Sequence, residues 1–226
     1  MSADVLLIAN LVEAGQVWEM ILNQAGFEVA TLDDFDEAAE WLTKRFCDLI
    51  LADWRSHESD LMDALQRLRP RTTVPIVLLL EGRDDQHLLE CYSAGADDCI
   101  PRPVDPLILV AKLRAWQRRT WGVALDVEDV SAGGFKLCVE KQHVVAPGGT
   151  VVRLTNLEFR LLHLLMLHAG EVLKTRLIVD RVWGYSWNED NSLVKHVIYR
   201  LRQKIEPDPT RPRYVLSAAG GYVFQP

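Results

Sequence analysis

Cysteine is scarce in this 226-residue chain, and its four cysteines include no C-x-x-C pair: Cys47, Cys91, Cys99 and Cys138. This usage does not fit a disulfide scaffold or a zinc site, and it is typical of proteins of the cytoplasm. We therefore predict a cytoplasmic protein with no bound metal and no cofactor.

Long apolar runs are also missing. The longest clear run, Val74 to Leu80, is far too short to cross a bilayer, so no membrane partner is expected. Residues Met1 to Val5 place no basic group before the first apolar stretch, which predicts a buried strand rather than a signal peptide. With 49% hydrophobic and 25% charged residues, the composition is that of an ordinary folded protein of one or two domains.

Common enzyme motifs are absent as well. The chain has no phosphate-binding G-x-x-x-x-G-K-S/T loop, no H-E-x-x-H and no G-x-S-x-G. The six histidines are scattered, and we interpret His163 and His168, on one amphipathic segment, as structural. We therefore expect that the protein is not an enzyme.

Charge is unevenly distributed along the chain, whose net value is -7. Residues 1–120 carry 12 Lys/Arg against 21 Asp/Glu, whereas residues 121–226 carry 13 against 11. An acidic half joined to a weakly basic half indicates two domains with different partners.

The first half alternates short apolar runs with amphipathic segments, five of each. This pattern predicts a domain over residues 1–120 with a doubly wound, five-stranded parallel sheet and helices on both faces. Chemistry in such sheets lies at the carboxyl ends of the strands. Here those ends are predicted at Ala9–Asn10, Asp53, Leu80 and Arg102.

A linker is predicted over residues 121–127, followed by an α+β domain over residues 128–226. Short strand-like runs come first, and Thr155 to Glu158 then form a capping box that opens a helix. Two further helices are predicted at Thr175–Trp183 and Ser192–Glu206, and residues 214–224 predict a hairpin. Three helices followed by a hairpin indicate a winged helix.

The third of these helices has one clear apolar stripe: Val194, Ile198, Leu201 and Ile205. We predict that this stripe faces the core and that a polar, cationic face lies opposite, suited to phosphates and base edges. That face comprises Ser192, His196, Tyr199, Arg200 and Gln203, with Lys195, Arg202 and Lys204 at its sides. A merely solvated polar face is the alternative.

Taken together, the motifs resemble the OmpR/PhoB-type response regulators. The resemblance is carried by residues 48–53, 95–98 and 101–103 in the first half and by 154–159, 182–184, 199–205 and 221–222 in the second. It implies a flavodoxin-like receiver domain joined to a winged-helix DNA-binding domain, and a sequence-specific transcriptional regulator of two-component type.

The resemblance also implies how DNA is bound. The helix Ser192–Glu206 would enter the major groove of double-stranded DNA, with Arg200 at a family contact position, and the hairpin would contact the minor groove or its phosphates. Ser192 and Ala218 stand where the family often has arginine, and Arg211 and Arg213 are expected to compensate in part. The segment Tyr185 to Asp190 is a candidate contact for RNA polymerase, or an ordinary solvated loop.

The phosphorylation pocket of the family is largely missing here. A working receiver uses two acids that hold Mg²⁺, an acceptor Asp, a Ser/Thr and a Lys, and this chain keeps only the acceptor, Asp53. The other positions hold Ala9, Asn10, Leu80 and Arg102. We predict that Asp53 pairs with Arg102 instead of accepting phosphate, which makes a histidine kinase partner doubtful.

Receivers of this family pair through the face made by helix 4, strand 5 and helix 5. Asp98 and Lys112 match one of the family's salt bridges, and Ile108 replaces a glutamate. The resemblance therefore implies a homodimer with a more apolar interface.

Three alternatives stay open at this stage. The winged helix could bind RNA polymerase or another protein rather than DNA, independently of phosphorylation. Cys99, where the family usually has an aromatic residue, is either redox-active or a small buried thiol. An unidentified small ligand could also occupy the altered pocket.

Overall fold

The structure is a computed structural model that describes residues 3–55, 58–82, 85–122, 129–138, 143–183 and 192–226. It divides the chain into two units, Met1–Gly122 and Val123–Pro226. The predicted linker lies mostly outside the described residues, but its first two positions belong to a helix that ends at Gly122.

The described residues of the first unit form five strands and five α-helices that alternate along the chain. The strands are β1 (Ala3–Ala9), β2 (Val29–Leu32), β3 (Cys47–Asp53), β4 (Ile76–Glu81) and β5 (Asp98–Arg102). The helices are α1 (Val12–Gln24), α2 (Phe35–Lys44), α3 (Glu58–Leu68), α4 (Asp85–Ala94) and α5 (Pro106–Gly122). All strand pairs are parallel, in the order β2-β1-β3-β4-β5.

The core of this unit lies on both faces of the sheet. The central strands are buried along nearly their whole length, as expected when helices cover both faces. Asp105 caps α5 by accepting a hydrogen bond from the Leu107 N–H at 2.7 Å. Leu109, Leu113 and Trp116 of that helix are fully buried. The sequence-based prediction of a doubly wound, five-stranded parallel sheet is confirmed.

The second unit begins with a four-stranded antiparallel sheet, β6 (Val130–Ala132), β7 (Phe135–Cys138), β8 (His143–Val145) and β9 (Val151–Arg153). Three helices follow: α6 (Asn156–Leu167), α7 (Thr175–Trp183) and α8 (Ser192–Ile205). The short strand β10 (Leu173–Lys174) and the hairpin strands β11 (Val215–Ala218) and β12 (Gly221–Phe224) form a second sheet. This is the predicted winged helix.

The capping box at the start of α6 is also confirmed. Glu158 N–H donates to the Thr155 hydroxyl at 3.3 Å, and Thr155 N–H donates to the Glu158 carboxylate at 2.8 Å. Both residues are buried, so this cap holds a carboxylate inside the unit.

Within the described residues, no helix combines the length and the apolar character that a membrane span requires. The same residues contain no cluster of three or more histidine, cysteine or acidic side chains placed to hold a metal ion.

Candidate functional site

The parallel register brings three predicted pocket positions, Ala9, Asp53 and Arg102, to the carboxyl ends of the strands. Ala9 on β1 lies opposite Asp53 on β3, and Asp53 lies opposite Leu79 on β4. The last residue of β4, Glu81, lies opposite Arg102 on β5. The fold therefore places the acceptor position and the arginine of the predicted pocket at one edge of the sheet.

Asp53 is 1% exposed, and both of its carboxylate oxygens have partners. Oδ2 accepts a hydrogen bond from the indole N–H of Trp18 on α1 at 2.7 Å. Oδ1 forms an ion pair with the guanidinium of Arg102 and lies 3.5 Å from Nε of Arg55. The Asp53–Arg102 pair predicted from sequence is therefore present.

A second layer of charge surrounds this pair. Glu81 accepts a hydrogen bond from Arg102 at 2.9 Å, and its carboxylate lies 4.0 Å from Nε of Arg55. The Arg55 backbone N–H donates to the side-chain oxygen of Asn10 at 2.9 Å. The negative charges of the two carboxylates therefore balance the positive charges of the two guanidinium groups. Burial lowers the pKa of Arg102 below its ordinary value, but an arginine side chain stays protonated in a protein.

These residues do not fit a Mg²⁺ ion. Mg²⁺ needs hard oxygen ligands in near-octahedral geometry, usually with one or two carboxylates. Ala9 offers no ligand, the Asn10 oxygen is engaged with the Arg55 backbone, and the Asp53 oxygens face two cations and an indole N–H. Leu80, which is buried, has no hydroxyl that could hold a phosphoryl oxygen.

Helix α8 carries the predicted DNA-binding residues, and one side of it is exposed. Lys195, Tyr199 and Gln203 follow one another at intervals of four residues and are all exposed, with Tyr199 at 58%. His196 and Arg202 are half-buried beside them. The predicted core stripe of Val194, Ile198, Leu201 and Ile205 is buried.

Arg200 corrects the predicted face. Its side chain is 10% exposed, and its Nε lies 3.9 Å from the carboxylate of Glu158, which is 1% exposed. Leu193 and Val197 are also buried, so the buried arc of α8 is wider than the four-residue stripe predicts. At about 100° per residue, Arg200 lies only about 20° around the helix from Leu193 and therefore points inward.

Lys204 is exposed, but it also reaches the Glu158 carboxylate. Its Nζ donates to the Glu158 carboxylate at 2.6 Å and to the Arg153 carbonyl at 3.3 Å. Burial by itself raises the pKa of Glu158, but the charges of Arg200 and Lys204 and the hydrogen bonds from Lys204 and Thr155 outweigh it. The pKa of Glu158 is therefore lowered below its ordinary value, and the carboxylate anchors α8 to α6.

Arg202 connects α8 to the hairpin through two hydrogen bonds. Its Nε donates to the Val215 carbonyl at 2.9 Å, and its terminal nitrogen donates to the Ser217 hydroxyl at 3.1 Å. Just after α8, the buried carboxylate of Glu206 accepts hydrogen bonds from the backbone N–H groups of residues 213–215. These contacts fix the hairpin against the end of α8.

The remaining predicted DNA contacts divide into two groups. Arg211 and Arg213 are exposed, next to the Glu206 anchor. Ser192 is the first residue of α8, but its side chain is outside the described part of the structure, as is the whole segment Tyr185 to Asp190 that was predicted to contact RNA polymerase.

The predicted dimer face contains one buried residue and two exposed apolar ones. Asp98 is 1% exposed, lies 3.7 Å from Nζ of Lys112 and accepts a hydrogen bond from the indole N–H of Trp116 at 3.3 Å. Its Oδ2 therefore contacts two side chains of α5 in the same chain. Ile108, in contrast, is 56% exposed, and its neighbour Leu107 is 79% exposed.

Sequence reasoning missed three members of the pocket: Trp18, Arg55 and Glu81. Glu81 directly follows Leu80 and Arg55 follows Asp53 by two residues, so the strand ends could have shown that more charge gathers there. Trp18 lies in the middle of α1, and no local pattern distinguishes it from an ordinary packing residue.

Comparison with known proteins agrees with this geometry. Residues 5–114 match the model of the response regulator receiver domain, and residues 149–224 match the model described as transcriptional regulatory protein, C terminal. A receiver sheet followed by a winged helix defines a class of two-domain transcriptional regulators.

Individual relatives cover nearly the whole chain. A probable transcriptional regulator, ycf27, of Cyanophora paradoxa is 31% identical over 98% of this chain and 95% of its own length. The sensory transduction protein RegX3 of Mycobacterium tuberculosis is 29% identical over 98% and 99%. The chain therefore belongs to the OmpR/PhoB-type response regulators, a family of transcriptional regulators with a DNA-binding C-terminal domain. A solved structure of a mutant of RitR is similar in fold, with a TM-score of 0.75 and 24% identity over 98% of both chains.

Proposed function

We propose that this protein is a sequence-specific DNA-binding regulator whose receiver is not activated by Mg²⁺-dependent phosphorylation. The observation that carries the proposal is the occupied carboxylate of Asp53, which holds Arg102, Arg55 and the Trp18 indole N–H. A phosphoryl group on Oδ1 or Oδ2 would have to displace one of these partners. A Mg²⁺ ion would be repelled by the two guanidinium groups that already neutralise the site.

The chemistry after phosphorylation would also be incomplete. In a working pocket, cationic and hydroxyl groups stabilise the charge that develops on the transferred phosphoryl group. Arg102 is the cation at the matching position, and it is shared between Asp53 and Glu81. A histidine kinase partner is therefore not part of the proposal.

Phosphorylation is tested directly by incubating the full chain with acetyl phosphate and Mg²⁺ and measuring its intact mass. We expect no phosphoryl addition. The matched control is a variant that restores the family pocket, Ala9→Asp, Asn10→Asp, Leu80→Thr and Arg102→Lys combined, which we expect to gain one phosphoryl group. Asp53→Asn in that background should lose it again. Stoichiometric addition to Asp53 of the unaltered chain would overturn the proposal.

For DNA we propose that the exposed stripe of α8, defined as Lys195, Tyr199 and Gln203, enters the major groove. Lysine supplies a cation for phosphate, and glutamine can form paired hydrogen bonds with adenine. Arg211 and Arg213 are proposed to contact phosphates beside the hairpin, with His196 and Arg202 at the edge of the stripe. The buried Arg200 and the exposed Lys204 act by holding α8 in place through Glu158.

The DNA-binding proposal is tested by selecting bound fragments from genomic DNA with the full chain, followed by gel shifts over a salt titration. A duplex-binding regulator should lose affinity as salt rises, because phosphate contacts release counterions. Absence of binding in dilute buffer would instead favour the alternative function, an interaction module that contacts RNA polymerase or another protein without phosphorylation.

We further propose that the protein acts in the cytoplasm as a homodimer that pairs through the receiver. The supporting observation is the exposed apolar pair Leu107 and Ile108 on the first turn of α5. Lys112 and Asp98 would support this turn from within each subunit rather than bridge two subunits. Sedimentation of Ile108→Glu against the unaltered chain tests the proposal, and an unchanged mass distribution would contradict it.

A further inference from the structure

Two buried cysteines and one histidine meet between α4 and β5, outside the pocket described above. His87 and Cys91 lie one turn apart on α4, and the Cys91 Sγ is 3.8 Å from the His87 Nε2. Cys99 on β5 is a neighbour of Cys91, whose side chain is one of the groups that raise the pKa of the Cys99 thiol. The three residues are 7%, 0% and 1% exposed.

The backbone between the two cysteines is tightly held. The N–H groups of Gly95 and Ala96 both donate to the Cys91 carbonyl, and the Cys99 N–H donates to the Tyr92 hydroxyl at 3.2 Å. Gly95 has a φ of +127°, and a Cβ there would lie 2.8 Å from the Arg69 side chain. This short turn returns the chain so that Cys99 lies beside Cys91.

We propose that Cys91 and Cys99 form a two-electron redox pair that a peroxide converts into a disulfide, with His87 as the base for Cys91. The inference does not depend on the proposed function, because bond formation can be measured without DNA. Such a bond would join α4 covalently to β5.

The reaction balances in two steps. Cys91 gives its proton to the imidazole of His87, and the thiolate attacks one peroxide oxygen, which breaks the O–O bond. The departing hydroxide takes the proton from His87 and leaves as water, so Cys91 becomes a sulfenic acid. The sulfur of Cys99 then attacks the Cys91 sulfur, and the Cys91 hydroxyl leaves as a second water with the Cys99 proton. Two thiols and one peroxide thus yield one disulfide and two waters.

The surroundings assign the two cysteines different roles. Burial, and then the contact with Cys91, raise the pKa of the Cys99 thiol well above its ordinary value, so Cys99 is a poor first nucleophile. Cys91 has the imidazole next to it and reacts first. Because both sulfurs are buried, peroxide would reach them during local openings of α4, which makes the step slow and dependent on the stability of that helix.

The reduced full chain is treated with hydrogen peroxide and then denatured in the presence of N-ethylmaleimide, which alkylates the remaining thiols. The protein is then cleaved on the N-terminal side of its aspartate residues. Cleavage separates residues 85–96 from residues 98–104, so a disulfide is seen as these two fragments joined. We expect this linkage to form, whereas Cys47 and Cys138 stay reduced and are alkylated. The proposal is supported if the two fragments are joined and neither Cys91 nor Cys99 carries N-ethylmaleimide.

Substitutions test the roles proposed for the two cysteines and the histidine. Cys99→Ser should abolish the linkage and leave a Cys91 sulfenic acid that dimedone traps, and His87→Asn should slow linkage by about 10²-fold. Cys47→Ser, the matched control at another buried cysteine, should change nothing. The proposal is overturned if Cys91 and Cys99 stay alkylatable while Cys47 or Cys138 is oxidised, if both are oxidised without linkage, or if dimedone labels nothing in Cys99→Ser.

Discussion

Each unit of this protein contains a buried carboxylate surrounded by cations, and the two carboxylates have different uses. Asp53 in the first unit faces Arg102, Arg55 and Trp18 at the edge of a parallel sheet. Glu158 in the second unit faces Arg200 and Lys204 on α8 and also caps its own helix. In the first unit the cations close a pocket, and in the second they orient a helix.

The difference lies in how the cations share their carboxylates. Arg102 keeps a second carboxylate, the 69% exposed Glu81, if Asp53 is removed. Arg200 and Lys204, in contrast, both direct an ion pair at the same carboxylate, that of Glu158. Loss of Glu158 should therefore cost more than loss of Asp53, since removing one member of a buried pair leaves the other charge uncompensated.

The largest effect is expected for Glu158→Gln. This change removes the charge opposite Arg200 and Lys204 and weakens the capping box, and it should reduce the free energy of unfolding of the second unit by about 3–5 kcal/mol. Amide hydrogen exchange of peptides from α6 and α8 measures this loss without assuming that both units unfold together. Unchanged exchange in these helices would show that the cluster does not hold α8.

The same carboxylate predicts a dependence on pH. Because the pKa of Glu158 is lowered in the folded state, its contribution is fully present above the unfolded value of about 4.3. The contribution is lost as pH falls through the folded pKa. Acidification should therefore increase exchange in α6 and α8 of the unaltered chain more than in Glu158→Gln. Equal acid sensitivity of the two chains would contradict the lowered pKa.

A smaller effect is expected for Asp53→Asn. The amide oxygen can still accept the Trp18 hydrogen bond and Arg102 keeps Glu81, so the expected loss in the first unit is about 1.5–3 kcal/mol. Exchange of peptides from β3 and β5 measures it, with Asp36→Asn on the exposed surface as the control. A loss larger than that of Glu158→Gln would reverse the comparison between the two carboxylates.

The two sites also differ in how far the sequence could predict them. The pair Asp53–Arg102 follows from the family resemblance and the strand ends together, because parallel strands bring their carboxyl ends to one edge. The face of α8 does not follow from its clearest stripe, since Arg200 is buried by a partner on another helix. Leu193 and Val197 carried the missing signal, because they extend the apolar arc toward Arg200. Trp18 depends on the packing of α1 against the sheet, which no local pattern encodes.

The smallest effect is expected for Lys195→Ala, which tests whether an exposed cation and a buried one on the same helix act differently. Lys195 is exposed, so its loss should leave hydrogen exchange in α8 unchanged and make the dependence of log binding constant on log salt shallower by about 0.9. Lys44→Ala, an exposed lysine on α2 of the other unit, is the matched control and should leave the slope unchanged.

Arg200→Ala should behave in the opposite way to Lys195→Ala. It removes a partner of Glu158, so exchange in α6 and α8 should increase while the salt slope of the remaining folded protein stays the same. A shallower slope with unchanged exchange would mean that Arg200 binds a phosphate directly, as the family resemblance implied. The burial of Arg200 predicts the first result, because a guanidinium held against a buried carboxylate has to break that pair before it reaches DNA.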